Sequence, residues 1–126
     1  LELLNAVKEF NYDYIYKHPR IEYYKEYSGL IIKTIFNTLK NLYACPNLNE
    51  NLKDNEDVFP NLINSFRNWL VKYSNLDLKL RKRKRFQNTI IYDINSEKEY
   101  IKSIIDFIAA MTDNYAIKLY HEIIFF

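Results

Sequence analysis

One residue type constrains this chain more than any other. Among 126 residues there is a single glycine, Gly29, with three prolines. Sandwiches and barrels turn often, and tight turns draw heavily on Gly and Pro, so an all-β fold is excluded. A glycine-rich loop cradling phosphates is excluded as well, which removes P-loop and dinucleotide-fingerprint chemistry. Hydrophobic residues make up 48% of the chain, too many for a disordered segment. A chain of this length buries roughly two-thirds of its unfolded surface, enough for a real core. The lone cysteine, Cys45, rules out an internal disulfide and a cysteine-based zinc site, and fits a reducing compartment. No apolar run approaches the ~18–20 residues of a membrane span, and Leu1–Asn5 lacks the basic start of a signal peptide. The expectation is a cytoplasmic, single-domain, all-α protein over residues 1–126. Because it opens on Leu rather than Met, it reads as a piece of a longer chain.

Periodicity predicts about five helices in an irregular bundle. Leu3, Val7, Phe10 and Tyr14 give the segment from Leu1 to about Tyr16 one apolar face, ended by Pro19. A second helix, about Ile21–Tyr43, carries the stripe Tyr24, Ile31, Ile32, Ile35, Leu39 and Leu42, closed by Pro46. Leu48–Asp57 is polar and aperiodic and reads as a loop. A third helix, about Phe59–Ser74, places Phe59, Leu62, Ile63, Phe66, Trp69, Leu70 and Tyr73 inward. Leu76, Leu78 and Leu80 alternate with polar residues, and Thr89–Tyr92 is β-branched, so a small hairpin is expected within 76–92. Asn95 and Ser96 stand as caps before a helix running to about Ala110, with Ile101, Ile104, Ile105 and Ile108 inward. Thr112 or Asp113 caps a last helix carrying Ala116, Leu119, Tyr120 and Ile123. Six tyrosines, Tyr12, Tyr14, Tyr16, Tyr23, Tyr24 and Tyr27, are expected to line core and interface. The terminal Phe125 and Phe126 suggest a partner surface.

The net charge of +2 hides an uneven distribution. Lys79, Arg81, Lys82, Arg83, Lys84 and Arg85 gather into one short run, and the remainder of the chain is net acidic. Such a run is either a solvated loop or a contact for polyanions, whose phosphates dense Lys and Arg neutralise with release of counterions. Phe86 beside it has the chemistry to stack on a base.

Two stretches resemble a known family. Asp106-Phe107-Ile108-Ala109-Ala110-Met111-Thr112-Asp113-Asn114-Tyr115-Ala116 is similar to a motif near the C-terminus of the deoxyguanosinetriphosphate triphosphohydrolases, HD-domain phosphohydrolases with Asp-Tyr-Ile-Ala-Gly-Met-Thr-Asp-Arg-Tyr-Ala there. Tyr16-Lys17-His18-Pro19-Arg20 resembles the family's Tyr-Arg-His-Pro turn. Ala110 replaces the family's usual Gly, and Asn114 its frequent Arg. The resemblance implies an enzyme that cleaves a dNTP to deoxynucleoside and tripolyphosphate, with a divalent metal (Mn or Mg) held by His and Asp, including an adjacent His-Asp pair.

This chain has no such pair: His18 precedes Pro19 and His121 precedes Glu122. The expectation is therefore the C-terminal helical domain of such an enzyme, inactive alone, with no metal or other cofactor of its own. Its partners would be an N-terminal HD catalytic domain, the dNTP bound there, further copies in a homo-oligomer, and single-stranded DNA at the basic run; no membrane is expected. Asp113 and Tyr115 either cap and pack, or help shape the nucleotide pocket at the edge of the catalytic domain. The rival reading is a non-enzymatic helical module that holds nucleic acid through residues 79–85.

Overall fold

The computed structural model describes residues 1–125. Among them there are seven α-helices and no strand. Helix α1 covers Glu2–Phe10 and continues into a π-helical turn, Asn11–Tyr16. Pro19 then sits at the first position of α2, Pro19–Asn41, where its missing N–H costs nothing. The His18 ring caps this helix, Nδ1 accepting the Arg20 N–H at 3.2 Å. Helix α4 is Pro60–Tyr73, α6 Glu97–Ala109 and α7 Asp113–Ile124. α2 packs on both α6 and α7, and α4 lies against the same pair. Their facing stripes make the core: Ile31, Ile35 and Leu39 from α2, Leu62, Ile63, Phe66 and Leu70 from α4, Tyr100, Ile104 and Phe107 from α6, and Leu119 from α7. Each such side chain contributes on the order of 1.5–3 kcal/mol through burial. Tyr100 also donates its hydroxyl hydrogen to the Leu39 carbonyl, joining α6 to α2.

Four expectations are corrected. The polar segment 48–57 holds a short helix, α3 (Leu48–Asp54), because Leu48 and Leu52 both reach the core four residues apart. The expected hairpin within 76–92 is absent. Leu78–Arg83 is helix α5, started by Asp77, whose carboxylate accepts the Leu80 N–H at 3.0 Å. That bond is the main reason the Asp77 carboxyl lies below the usual carboxylate range. Residues 91 and 92 run beside the end of α4, both N–H groups donating to the Tyr73 carbonyl.

The N-terminal apolar face is the third correction: none of residues 1–20 is buried, and Leu3 is 79% and Phe10 56% exposed. Of the tyrosines expected to line core and interface, from Tyr12 to Tyr27, none enters the core and all are exposed, although Tyr27 meets Tyr120 edge-on at 6.1 Å. Fourth, Ile32 and Ile105 face outward, and Tyr100, Ser103 and Phe107 take the inner face of α6. Ser96 occupies the first capping position of α6, but neither it nor Asn95 caps with its side chain. Phe125 is exposed, and Phe126 lies outside the described residues.

Candidate functional site

The stretch Asp106–Ala116 forms a corner between α6 and α7. Helix α6 ends at Ala109, and Ala110 follows in ordinary right-handed geometry at φ −83° and ψ −7°. Nothing at this corner therefore requires the glycine that the resembled motif carries there. Thr112, rather than Asp113, is the cap of α7, its hydroxyl accepting the Tyr115 N–H at 3.2 Å. Asp113 is the first helical residue, exposed to solvent at the positive end of the helix dipole.

Most polar residues of the corner are engaged in holding the fold. Tyr92 donates its hydroxyl to Asp106, pinning the 91–92 segment to α6. Burial first, and that carboxylate second, push the Tyr92 hydroxyl above its ordinary value. Tyr115 and Ser65 share a hydrogen bond between their hydroxyls, tying α7 to α4. Asn114 is exposed.

Met111, Thr112, Asp113 and Ala116 line one wall of a groove whose other wall is α2, with Tyr24, Tyr27, Ser28 and Ile31. The turn Tyr16–Arg20 starts the helix on which the 106–116 corner packs. The groove measures about 110 Å³. Pockets for drug-sized ligands run to roughly 300–1,000 Å³, so this groove alone encloses no nucleotide; it accommodates one or two side chains.

The basic run divides on folding. Arg81 is buried, its guanidinium donating to the Lys72 carbonyl at 2.8 Å, to Asn88 Oδ1 at 3.3 Å and to the Asn88 carbonyl. It braces α5 against α4 and is not available to a ligand. Lys79, Lys82, Arg83, Lys84 and Arg85 are exposed. Phe86 is half-buried against the core.

A family model, described as a phosphohydrolase-associated domain, matches residues 38–122. The chain belongs to this family. The phosphohydrolase-associated domain occurs with HD phosphohydrolases, which ties the chain to hydrolase chemistry without assigning a substrate. The match includes the 106–116 corner and the basic run and leaves out Tyr16–Arg20. No curated protein and no solved structure matches the chain. No helix among the described residues is long and apolar enough to cross a membrane.

The residues of this phosphohydrolase-associated domain do not fit the divalent metal of such enzymes. Among the described residues no three His, Cys, Asp or Glu side chains gather as ligands would. His18 Nδ1 is engaged by the Arg20 N–H, and the His121 ring lies edge-on to Phe125 at 5.2 Å. Sequence reasoning also missed Glu122, whose carboxylate reaches across to α4, and the groove wall on α2. The first carries no sequence signal, since its partners are two backbone N–H groups and the Asn61 side-chain amide at the start of a distant helix.

Proposed function

We propose that this chain is the helical domain that accompanies the HD catalytic domain of a deoxynucleoside triphosphate triphosphohydrolase, bracing that domain and contributing to subunit contacts. The observation that carries the reading is the 106–116 corner. Its motif-like residues fold into a helix–turn–helix whose outer wall, with Asp113 and Thr112, lines a groove against α2. Family membership supports the partner: phosphohydrolase-associated domains occur with HD phosphohydrolases. The uncovered apolar side chains Leu3, Val7 and Phe10 of α1 supply a stripe of the kind a second domain buries.

The catalytic metal would be held by His and Asp of the partner domain, and no chemical step falls on residues of this chain. Asp113 and the groove would complete, from outside, a nucleotide pocket that neither domain closes alone.

The test uses the parent protein beside residues 1–126 alone. Each dNTP is supplied with Mn²⁺ or Mg²⁺, and tripolyphosphate and deoxynucleoside are followed. The parent should release both in equal amounts, and the isolated chain neither. A parent that leaves every dNTP intact, or that releases pyrophosphate or phosphate instead, overturns the substrate; turnover by the isolated chain overturns the division of labour.

A further inference from the structure

The groove between α2 and the α6–α7 corner is mostly apolar, with Ile32 on one wall and Met111 on the other. Tyr24 and Tyr27 line it too, and both are exposed. Asp113 is the one charged residue in its lining. Among the described residues the ion pairs are Lys17–Asp13 and Lys25–Glu22, so no cation of this chain neutralises that carboxylate. Nor does the start of α7 engage it, since the Thr112 hydroxyl supplies the cap. An apolar slot therefore carries one free negative charge and two uncovered aromatic residues.

That combination selects by charge and by shape. A carboxylate repels phosphates, so Asp113 is unsuited to meet a polyphosphate directly and calls for a cation. The side chain that matches is apolar along its stem and positive at its tip. Arginine matches better than lysine. Its guanidinium is more weakly hydrated, lies on aromatic faces and pairs with a carboxylate through two parallel bonds. Its remaining donors have acceptors in the hydroxyls of Ser28 and Tyr27, which line the same groove. A volume of about 110 Å³ takes one such side chain. The walls are also held in place: α2 packs on α6 and α7, and the Tyr27 ring meets Tyr120 edge-on at 6.1 Å. A preformed slot needs little ordering when its occupant arrives.

We propose that this groove is a docking slot for an arginine side chain of a partner polypeptide, with the guanidinium on Asp113 and the stem along Ile32 and Met111. Asp113 is then a positioning residue: it holds the arginine and does not itself touch a nucleotide. That the partner is the catalytic domain rests on the function proposed above. The chemistry of the slot does not, and a parent protein that leaves every dNTP intact would not alter the titration that tests it.

The experiment titrates the isotope-labelled whole chain with N-acetyl-arginine methylamide and follows its amide resonances by NMR. Signals of Ser28, Asp113 and Ala116 should move together and saturate, with a Kd on the order of 1–10 mM for so small a ligand. The citrulline analogue has the same shape without the charge. It should bind at least about threefold more weakly, as loss of one exposed ion pair implies. Asp113→Asn should lower the affinity for the arginine compound to that of the citrulline compound and leave the latter unchanged. Circular-dichroism melting checks that the variant is folded, and the comparison of the two compounds on the native chain stands without it. No saturable movement at these amides, equal binding of the two compounds by the native chain, or undiminished arginine binding by folded Asp113→Asn each overturns the proposal.

Discussion

Glu122, near the end of α7, closes the start of α4 from sixty residues away, its Oε2 accepting the Leu62 N–H at 2.9 Å. Oε1 accepts the Asn61 N–H at 2.9 Å and the Asn61 side-chain amide at 3.0 Å. Phe59, which precedes α4, has no side chain able to cap it. The first turn of every helix leaves N–H groups unbonded and a partial positive charge, and a carboxylate answers both. The cap therefore comes from another helix, and it fixes α7 on α4 as well as completing α4.

Replacing Glu122 by Ala should cost about 1–2 kcal/mol, the upper range for loss of a helix cap. Glu122→Gln keeps acceptor oxygen but loses the charge and one of the two acceptors, and should fall between. Urea unfolding of the three proteins measures this. Coincident midpoints for native chain and Glu122→Ala would show that solvent satisfies the α4 terminus equally well.

Arg81 separates the structural part of the basic run from the exposed part. Arg81→Ala removes the donors to the Asn88 carbonyl and side chain and one of two donors to the Lys72 carbonyl, and empties the space of a buried side chain. A loss of roughly 2–3 kcal/mol is expected. Lys79→Ala and Arg83→Ala should each lie within about 0.5 kcal/mol of the native chain, as exposed substitutions do. Denaturant midpoints that rank these three alike would contradict the inward placement of Arg81.

What the sequence makes legible follows period and length. On α2 and α4 the residues Ile31, Ile35, Leu39 and Leu62, Ile63, Phe66, Leu70 are read correctly as inward because they repeat over several turns, while Tyr24 and Ile32 of the α2 stripe are exposed. Short elements escape. Leu76, Leu78 and Leu80 satisfy a strand's period of two, yet Leu78 starts a helix capped by Asp77, whose carboxylate accepts the Leu80 N–H three residues on. α3 hides in Asn-rich sequence because two leucines are too few to show a period. The N-terminal stripe is the reverse case: Leu3, Val7 and Phe10 are amphipathic in pattern yet meet no partner within the chain. Periodicity reports that a face is apolar and is silent on what covers it. For the site, the motif located the α6–α7 corner, but the opposite wall on α2 appears only on folding.

Two glycine substitutions should act in opposite directions. At Arg85, φ 58° is the left-handed region, which costs a side-chain-bearing residue roughly 1–2 kcal/mol. Arg85→Gly relieves that strain at the expense of a more flexible unfolded chain, for a net gain of about 0.5–1 kcal/mol. Ala110 has φ −83°, where glycine gains nothing. Ala110→Gly should therefore lose about 0.5–1 kcal/mol, although glycine is the residue of the resembled motif. Thermal unfolding of both variants checks the signs. An Ala110→Gly chain that melts higher would mean that the corner is strained in a way its dihedral angles do not express.

Thr112 and Asp113 divide between them what the sequence leaves as a single cap. The Thr112 hydroxyl accepts the Tyr115 N–H, so Thr112→Ala should destabilise the chain by about 1 kcal/mol and Thr112→Ser by much less. Asp113 acts on the helix only through its charge at the N-terminus, an interaction of about 0.3–1 kcal/mol that salt screens. Asp113→Asn should thus lose a few tenths of a kcal/mol at low salt and nothing measurable at high salt. This leaves the Asp113 carboxylate without a large structural duty, at the mouth of the groove. If it completes a nucleotide pocket in the parent enzyme, Asp113→Asn should leave melting nearly unchanged while turnover drops by about an order of magnitude, and Thr112→Ala should lower melting with turnover per folded molecule preserved. Turnover and melting are to be measured on the same samples of parent protein. An Asp113→Asn parent with native turnover would remove Asp113 from the pocket and leave its charge a minor contribution to α7.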